Sequence, residues 1–314
     1  MSGGGRERVL VYSMGEVIGD GLIKLPFVAG VRAAYPDAEV TWCAAKGSTV
    51  YAGPLKRVVE HAIDQVLLGP PRSGARWDLV IDTQQNAART LSAWRAGRRL
   101  VSGAAGWRRL VGPARWPEPL VERLQALLET ARPGAALTPI ALSDPRAAAA
   151  AEALLSPGPR YVGFAPGAGG REKRWPLDRF IALAERATQA GCTPVFFVGP
   201  DEAEAIPEVR RALPCALLPE ADRTDAYPDV RGPLLVIALA GRLQAAVAND
   251  AGPGHMFAAG GAPLLSLHKD RRKAAKFRPA ARRLEVLAAE DYGPGMEALP
   301  LDVAWAALSR LLDT

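Results

Sequence analysis

Short apolar runs alternate with longer amphipathic segments along the whole chain. An apolar run of strand length followed by a segment of helical periodicity is typical of a β-α unit, and its repetition predicts parallel sheets. In the first half of the chain, the predicted strands are Val9–Tyr12, Glu39–Cys43, Gln65–Leu68, Leu79–Asp82 and Arg99–Val101. The predicted helices there are Asp20–Tyr35 and Glu118–Ala131.

A break rich in Pro and Gly at Leu155–Arg160 separates an Ala-rich helix from a second β-α series. The strands predicted after it are Tyr161–Ala165, Pro194–Val198, Ala216–Leu218, Ala245–Ala248, Leu264–Leu267 and Leu284–Leu287. The predicted helices are Leu177–Ala190, Glu202–Leu213, Leu234–Arg242, Gly254–Ala259 and Leu301–Leu312.

This pattern predicts an α/β protein with two doubly wound, Rossmann-like domains, residues 1–157 and 158–314, facing each other across a cleft. The last helix is a candidate to pack back on the first domain. Domains of this kind bind ligands at the carboxyl ends of their strands.

Composition narrows the class of protein. Hydrophobic residues make up 49% and charged residues 23% of the 314 residues, which indicates a globular chain. No apolar run approaches the ~20 residues that cross a bilayer, and the start, Met1–Arg8, lacks the apolar stretch of a signal peptide. Cys43, Cys192 and Cys215 are far apart and have no metal-binding spacing. We therefore expect a cytoplasmic protein without a bound metal.

Positive charge is concentrated in the first half of the chain. The formal net charge is +6, and residues 1–157 contain 19 basic and 14 acidic residues. This excess predicts an anionic partner for the first domain, such as a phosphorylated glycolipid or a membrane surface. Nucleic acid is the weaker candidate, because no nucleic-acid-binding module is visible.

A glycine-rich loop follows the first strand of the second series. It contains Gly167, Ala168 and Gly169, and Lys173 and Arg174 come before a helix that Pro176 opens. Glycines let a backbone approach phosphate oxygens, and the cations supply charge. The loop is neither a Walker A loop nor a G-x-G-x-x-G turn, and a plain strand-to-helix connection is the alternative.

A second polar segment follows the strand Ala245–Ala248. Asp250, Ala251, Gly252 and His255 lie where a short helix opens, and free N–H groups at a helix start suit a diphosphate. Asp250 could instead cap that helix, and His255 could be a packed core residue.

Two further acids stand at strand-to-helix turns. Asp20 follows the first strand and is either a helix cap or a general base that takes a proton from a hydroxyl. Glu202 is either a ligand for a ribose hydroxyl or an ordinary acid in the first turn of a helix.

Together these segments resemble glycosyltransferase family 9, the ADP-heptose:lipopolysaccharide heptosyltransferases. The matching stretches, in order, are Gly19-Asp20 with Leu25-Pro26, Tyr35-Pro36-Asp37, Pro166-Gly167-Ala168 with Lys173-Arg174-Trp175-Pro176 and Phe180, Gly199-Pro200-Asp201-Glu202, and Asp250-x-Gly252-x-x-His255. They extend over nearly the whole chain.

The resemblance implies a GT-B fold and inverting, metal-independent transfer of heptose or a related sugar, with ADP-heptose the expected donor and a lipopolysaccharide core hydroxyl the acceptor. It implies that Asp20 is the general base, that Lys173 binds the diphosphate and that Asp250 lies beside the donor sugar. The diphosphate would be held by Gly252 and by the first turn of the helix, up to His255. Glu202 would bind ribose.

The chain also departs from the family pattern. Ala251 stands where Thr or Ser is usual, which removes one hydroxyl contact. The stretch Leu267–Pro279 replaces the usual Phe-Gly-x-x-x-Pro, and extra residues before Gly19 make Glu16 a second candidate base. Two alternatives therefore stay open: a family member with another sugar or a protein or capsule acceptor, and a nucleotide-binding protein without turnover.

Two basic stretches remain. The first stretch interleaves Trp with four arginines, Arg98, Arg99, Arg108 and Arg109. This mixture predicts an edge of the protein that contacts the acceptor glycolipid and the inner membrane, and a solvated loop is the alternative. The cluster Lys269–Arg278 either contacts donor phosphates or is solvated.

Overall fold

The computed structural model describes residues 6–72, 74–84, 87–102, 119–222, 227 and 229–313. The chain divides into two compact units between Ala141 and Leu142. Among the described residues, no helix combines the length and apolar character needed to cross a membrane.

The first unit is a five-stranded parallel sheet with the strand order β3-β2-β1-β4-β5. Val9, Leu10 and Val11 are buried on both faces of the central strand, as a doubly wound sheet requires. Its elements are β1 (Arg8–Ser13), α1 (Ile18–Ala34), β2 (Glu39–Ala44), α2 (Lys56–Val59), β3 (Gln65–Leu68), β4 (Trp77–Asp82), α3 (Ala87–Ala96), β5 (Gly97–Ser102) and α4 (Leu120–Ala131).

The second unit is a parallel sheet with the order β10-β9-β8-β6-β7. Its elements are α5 (Pro145–Leu154), β6 (Tyr161–Ala165), α6 (Leu177–Gln189), β7 (Thr193–Phe196), α7 (Ile206–Ala212), α8 (Pro233–Ala240), β8 (Leu243–Asn249), α9 (Gly252–Ala259), β9 (Leu264–His268), α10 (Arg271–Lys276), β10 (Leu284–Ala288) and α11 (Leu301–Leu312). The core of this unit includes Phe164, Trp175 and Phe180.

The predicted fold class is confirmed, and each strand coincides with a predicted one. The predicted strand Ala216–Leu218 is reduced to a single bridge, in which Leu217 pairs with Val195 of β7. With that bridge as an edge position, the second unit has the Rossmann order 3-2-1-4-5-6. The segment after β9 forms a helix, α10, which was not among the predicted elements. Asp270 caps this helix by accepting a hydrogen bond from the backbone N–H of Lys273 at 2.8 Å.

The chain divides into its two compact units between Ala141 and Leu142, ahead of the predicted boundary at residue 157. Helix α5 lies in the second unit, where it packs on α8 and buries Ala147, Ala150 and Ala151. The Pro- and Gly-rich break is the turn that leads from α5 into β6. The last helix, α11, packs on β8, β9 and α6 in the same unit. Packing of α11 on the first unit, and a cleft between the units, stay predictions.

Candidate active site

The polar loops of the second unit meet at the carboxyl end of its sheet, where β6 and β8 are neighbours. The strand order reverses between these two strands, and such a switch point is where doubly wound sheets bind ligands. Lys173 and Arg174 follow β6, and Asp250 follows β8. Lys173 Nζ lies 3.4 Å from Asp250 Oδ2, so the structure brings together two residues far apart in sequence.

Asn249, the last residue of β8, connects the two loops. Its buried amide accepts a hydrogen bond from the backbone N–H of Trp175 at 3.1 Å and donates one to the carbonyl of Pro166 at 2.8 Å. The Trp175 indole in turn donates to the carbonyl of Leu299 at 3.1 Å. These bonds hold both ends of the glycine-rich loop and fix the backbone that carries Lys173.

Two histidines lie near the Asp250 carboxylate. His268 Nδ1 is 3.6 Å from Asp250 Oδ1, and His268 Nε2 is 2.8 Å from the hydroxyl of Ser266. Burial lowers the pKa of His268, and the Asp250 carboxylate opposes that effect. Burial also lowers the pKa of His255 to about 4, again against the raising effect of Asp250. Both imidazoles are therefore neutral at pH 7.

Helix α9 opens at Gly252 directly after Asp250. Its N-cap residue is Ala251, whose side chain cannot cap, so Asp250 does not occupy the N-cap position of its capping alternative. His255 is buried in the first turn, as its core alternative predicts.

Glu202 forms the second polar contact of the site. Its carboxylate is 3.2 Å from the guanidinium of Arg174, which also donates to the carbonyl of Ala168 at 3.0 Å. The carboxylate lies directly over Gly167, where a Cβ atom would be 2.7 Å from Glu202 Cδ, so the glycine is required for this close approach. By contrast, the Cβ position of Gly169 is open.

A pocket of about 240 Å³ lies beside this pair. Trp175 and Leu177 form apolar parts of its lining, and its charged residues are Arg174, Glu202, Glu204 and Glu208. The lining therefore combines apolar surface with several charged groups, as small-molecule sites do.

In the first unit, the turn after β1 contains a buried polar network centred on Glu16. Its carboxylate accepts hydrogen bonds from Trp42 Nε1 at 3.1 Å, from Lys24 Nζ at 2.8 Å, and from the hydroxyls of Ser13 and Thr49. The Glu16 side chain is 0% exposed. Every lone-pair direction of this carboxylate faces a donor, so the geometry argues against Glu16 as a base for an external hydroxyl.

Gly15 permits this turn. Its φ of +129° is unfavourable for other residues, and a Cβ there would lie 2.3 Å from the carbonyl oxygen of Ser48. Gly15 and Glu16 together fix the entry to α1.

Asp20 lies in the first turn of α1, which begins at Ile18. The N-cap residue is Val17, so the cap alternative for Asp20 is not found. Asp20 is half-buried, and its charge adds to that of Glu16 in raising the pKa of Tyr51, which burial already raises. The structure therefore places Asp20 at the carboxyl edge of the first sheet, more accessible than Glu16.

Arg98 and Arg99 face opposite sides of β5, as adjacent strand residues do. The Arg99 guanidinium donates to the carbonyls of Ala131 at 2.8 Å and Thr130 at 3.2 Å, at the end of α4. Arg98 is exposed and lies 3.6 Å from Asp78. Both lie near the amino end of β5, the edge opposite Asp20. Arg108 and Arg109 lie outside the described residues.

Arg98 belongs to a basic groove, which we define by Arg72, Arg76, Arg95 and Arg98. The groove has a volume of about 720 Å³, and its described lining also contains Trp94 but no carboxylate. The cluster Lys269–Arg278, in contrast, is partly neutralised, because Arg271 is 2.6 Å from Asp291 and Lys273 is 3.7 Å from Asp270.

Sequence reasoning missed Asn249, Ser266 and His268 as site residues. The available signal was that Asn249 and His268 are polar residues ending apolar strands, at the edge where parallel strands present ligands. Within the described part of the chain, no three carboxylate, imidazole or thiol groups converge as a metal site would need.

Two doubly wound parallel sheets with polar loops at their carboxyl ends define an α/β protein of the GT-B class. Residues 74–298 match the profile of glycosyltransferase family 9 (heptosyltransferase). The chain belongs to this family of glycosyltransferases, as the resemblance of its motifs predicted.

Three solved structures have a similar fold. A glycosyl transferase of family 9 from Veillonella parvula DSM 2008 is 18% identical, with a TM-score of 0.67 over 98% of this chain and 97% of the other. Escherichia coli ADP-heptose lps heptosyltransferase II is 18% identical, with a TM-score of 0.67 over 98% of each chain. Escherichia coli heptosyltransferase WaaC with ADP is 17% identical, with a TM-score of 0.66 over 97% of this chain and 99% of the other. No functionally curated protein matches the chain by sequence.

Proposed function

We propose that this glycosyltransferase moves a heptose or related sugar from a nucleoside diphosphate donor, with ADP-heptose the expected donor, to a hydroxyl of a lipopolysaccharide core acceptor. The observation that carries the proposal is the Lys173–Asp250 pair at the switch point of the second sheet. The likeness to a heptosyltransferase structure containing ADP supports an adenine nucleotide there.

The second unit would bind the donor. Lys173, Arg174 and the N–H groups at the start of α9 would stabilise the negative charge that develops on the leaving diphosphate. Glu202 would accept hydrogen bonds from ribose hydroxyls, with the base beside it in the 240 Å³ pocket. Asp250 would contact the sugar.

The reaction is a single displacement. Asp20 takes the proton from the acceptor hydroxyl as its oxygen forms a bond to the anomeric carbon. The bond between that carbon and the diphosphate oxygen breaks, and the nucleoside diphosphate leaves with the electron pair. This inverts the anomeric configuration. The saturated network around Glu16 favours Asp20 over Glu16 as the base.

The first unit would approach the acceptor at the cytoplasmic surface of the inner membrane. The basic groove supports the membrane contact, because its four arginines and the exposed Trp94 suit the anionic headgroup region. Since the groove lies at the edge of the sheet opposite Asp20, it would bind headgroups and not the reacting hydroxyl.

The decisive experiment is a thermal-stability titration of the purified protein with ADP, GDP, UDP, TDP and ADP-heptose. A ligand at 100 times its dissociation constant stabilises a protein by about 2.7 kcal/mol. We expect ADP and ADP-heptose to stabilise the wild type most, and Lys173→Ala to abolish most of the shift. Arg171→Ala is the matched control, because it removes an exposed cation from the same turn.

Each other outcome has a definite meaning. A larger thermal shift with another nucleotide would mean that the donor carries a base other than adenine, and the proposed mechanism would be unchanged. An equal loss of the shift in Lys173→Ala and Arg171→Ala would contradict a specific role for Lys173. No shift with any nucleotide would favour a family member that has lost its donor site and with it turnover, for which Ala251 and the altered segment after β9 are the motivating departures.

A further inference from the structure

His268 lies in an unusual position for a buried histidine. It is 1% exposed at the end of β9, and Ser266, two positions earlier on the same strand, is also 1% exposed. The imidazole Nε2 is hydrogen-bonded to Ser266, whereas Nδ1 is buried without a hydrogen-bond partner among the described residues. This unpartnered atom points to Asp250 Oδ1 at 3.6 Å, slightly beyond hydrogen-bonding distance.

The surroundings determine which nitrogen carries the proton. The charged groups acting on His268 are Asp250, Asp270 and Lys173, and the neighbouring imidazole is His255. Burial favours the neutral ring, which has one N–H. A carboxylate can only accept, so a lone pair on Nδ1 would repel it. The favoured tautomer therefore has the proton on Nδ1, while Nε2 accepts from the hydroxyl of Ser266.

The order Ser266, His268, Asp250 superficially matches a nucleophilic triad. A triad serine must reach a substrate, however, and Ser266 is buried within β9 between β8 and β10. The arrangement is instead suited to orienting the carboxylate of Asp250.

We propose that His268 is a positioning residue that holds Asp250 toward the donor sugar when Lys173 turns to the diphosphate. This inference rests on the proposed function. Asp250 has one oxygen near Lys173 and the other near His268. A diphosphate competes for Lys173, and a carboxylate whose side chain is only 10% exposed then needs another donor. A shift of less than 1 Å would bring Nδ1–H within hydrogen-bonding distance of Oδ1.

Two substitutions of His268 distinguish the contributions of its two ring nitrogens. The amide nitrogen of His268→Asn approximates the position of Nδ1, whereas that of His268→Gln approximates Nε2. We expect His268→Gln to weaken ADP-heptose binding about tenfold or more, as loss of a hydrogen bond to a charged group does. His268→Asn should retain binding within about threefold. Both variants should bind ADP like the wild type, because Asp250 acts on the sugar.

Equal effects of Asn and Gln, or equal losses for ADP and ADP-heptose, would overturn the proposal and indicate a packing role alone. Nitrogen NMR of the wild-type imidazole is an independent test, and a proton on Nε2 would also overturn it. If the wild type binds neither ADP nor ADP-heptose, the proposed donor fails, and the NMR result still decides the orientation of His268.

Discussion

Two carboxylates near the start of α1, Glu16 before the helix and Asp20 in its first turn, lie in different environments. Glu16 accepts four hydrogen bonds in a buried network and pairs with Lys24 at 2.8 Å. Asp20 is half-buried at the edge of the sheet. Their substitution should therefore affect different properties of the protein.

Asp20→Asn should lower kcat by about 10²–10⁴-fold, as loss of a general base does, with little change in stability. Glu16→Gln should lower the free energy of unfolding by about 3 kcal/mol or more, because it leaves the buried ammonium of Lys24 without its counter-charge. Turnover assays and urea denaturation of both variants would measure this. If Glu16→Gln retained stability but lost turnover, the assignment of the base would be reversed.

His255 makes stability depend on pH. Its folded pKa is about 4, against 6.5 for an unperturbed histidine, so the unfolded chain takes up the proton first as pH falls. The free energy of unfolding should therefore fall by about 3 kcal/mol between about pH 6.5 and pH 4. Urea denaturation across this range should show that the free energy of unfolding of His255→Gln declines less steeply with falling pH than that of the wild type. Part of the decline should remain, because burial also lowers the pKa of His268. Parallel curves for the two proteins would contradict the assignment.

At the scale of elements, the glycine-rich loop and the segment Gly199–Glu202 depend on each other. Gly167→Ala would put a methyl group in the space of the Glu202 carboxylate. Because that carboxylate ends a flexible side chain, we expect it to move away and nucleotide binding to weaken about tenfold.

A double-mutant cycle tests this coupling. Glu202→Ala alone should weaken binding to a similar extent, and adding Gly167→Ala should cost nothing further. Titration with ADP would measure the nucleotide affinity of the two single variants and the double variant. Additive losses would mean that Gly167 acts through its own backbone and not through Glu202.

Elements with strong local signals were predictable from the sequence. Central strands such as β1 and β8 are buried on both faces, so each is a short, nearly continuous apolar run that the sequence reveals directly. Helix α10 was missed because its start depends on one capping contact from Asp270 within a basic segment. The compact units divide ahead of residue 157 because Ala147 and Ala150 are buried against α8, which is a long-range contact.

The same distinction applies to the candidate site. Motif spacing placed Lys173, Asp250 and Glu202 at strand ends, but their partners come from packing. The Lys173–Asp250 contact, the double hydrogen bond of Asn249 and the approach of His268 to Asp250 join separate β-α units, which no local pattern reveals. Asp20 and Glu16 were indistinguishable until the donors around Glu16 were known.

At the scale of the whole molecule, the basic groove accounts for part of the charge excess of the first half. Arg72→Glu with Arg95→Glu should weaken binding to vesicles containing anionic phospholipid by about 30-fold or more, since each basic residue near such a surface contributes about 1 kcal/mol and the new carboxylates are repelled by it. Co-sedimentation with anionic and neutral vesicles would measure it.

The matched control is Arg211→Glu with Arg282→Glu, which makes the same change in net charge at exposed positions of the second unit. Equal losses in the two double variants would mean that net charge, and not the groove, determines binding. Neither pair should alter the stabilisation by ADP.

The buried pair of Glu16 and Lys24 also limits how this chain can diverge. Loss of either charge alone leaves the other buried without a counter-charge beneath the turn that presents Asp20. Replacement of both by apolar residues of similar volume is often tolerated, provided that the other donors to Glu16, such as Trp42, find new partners. Viable lineages would therefore exchange the two residues together. Descendants should carry both or neither, and intermediates with only one should be rare.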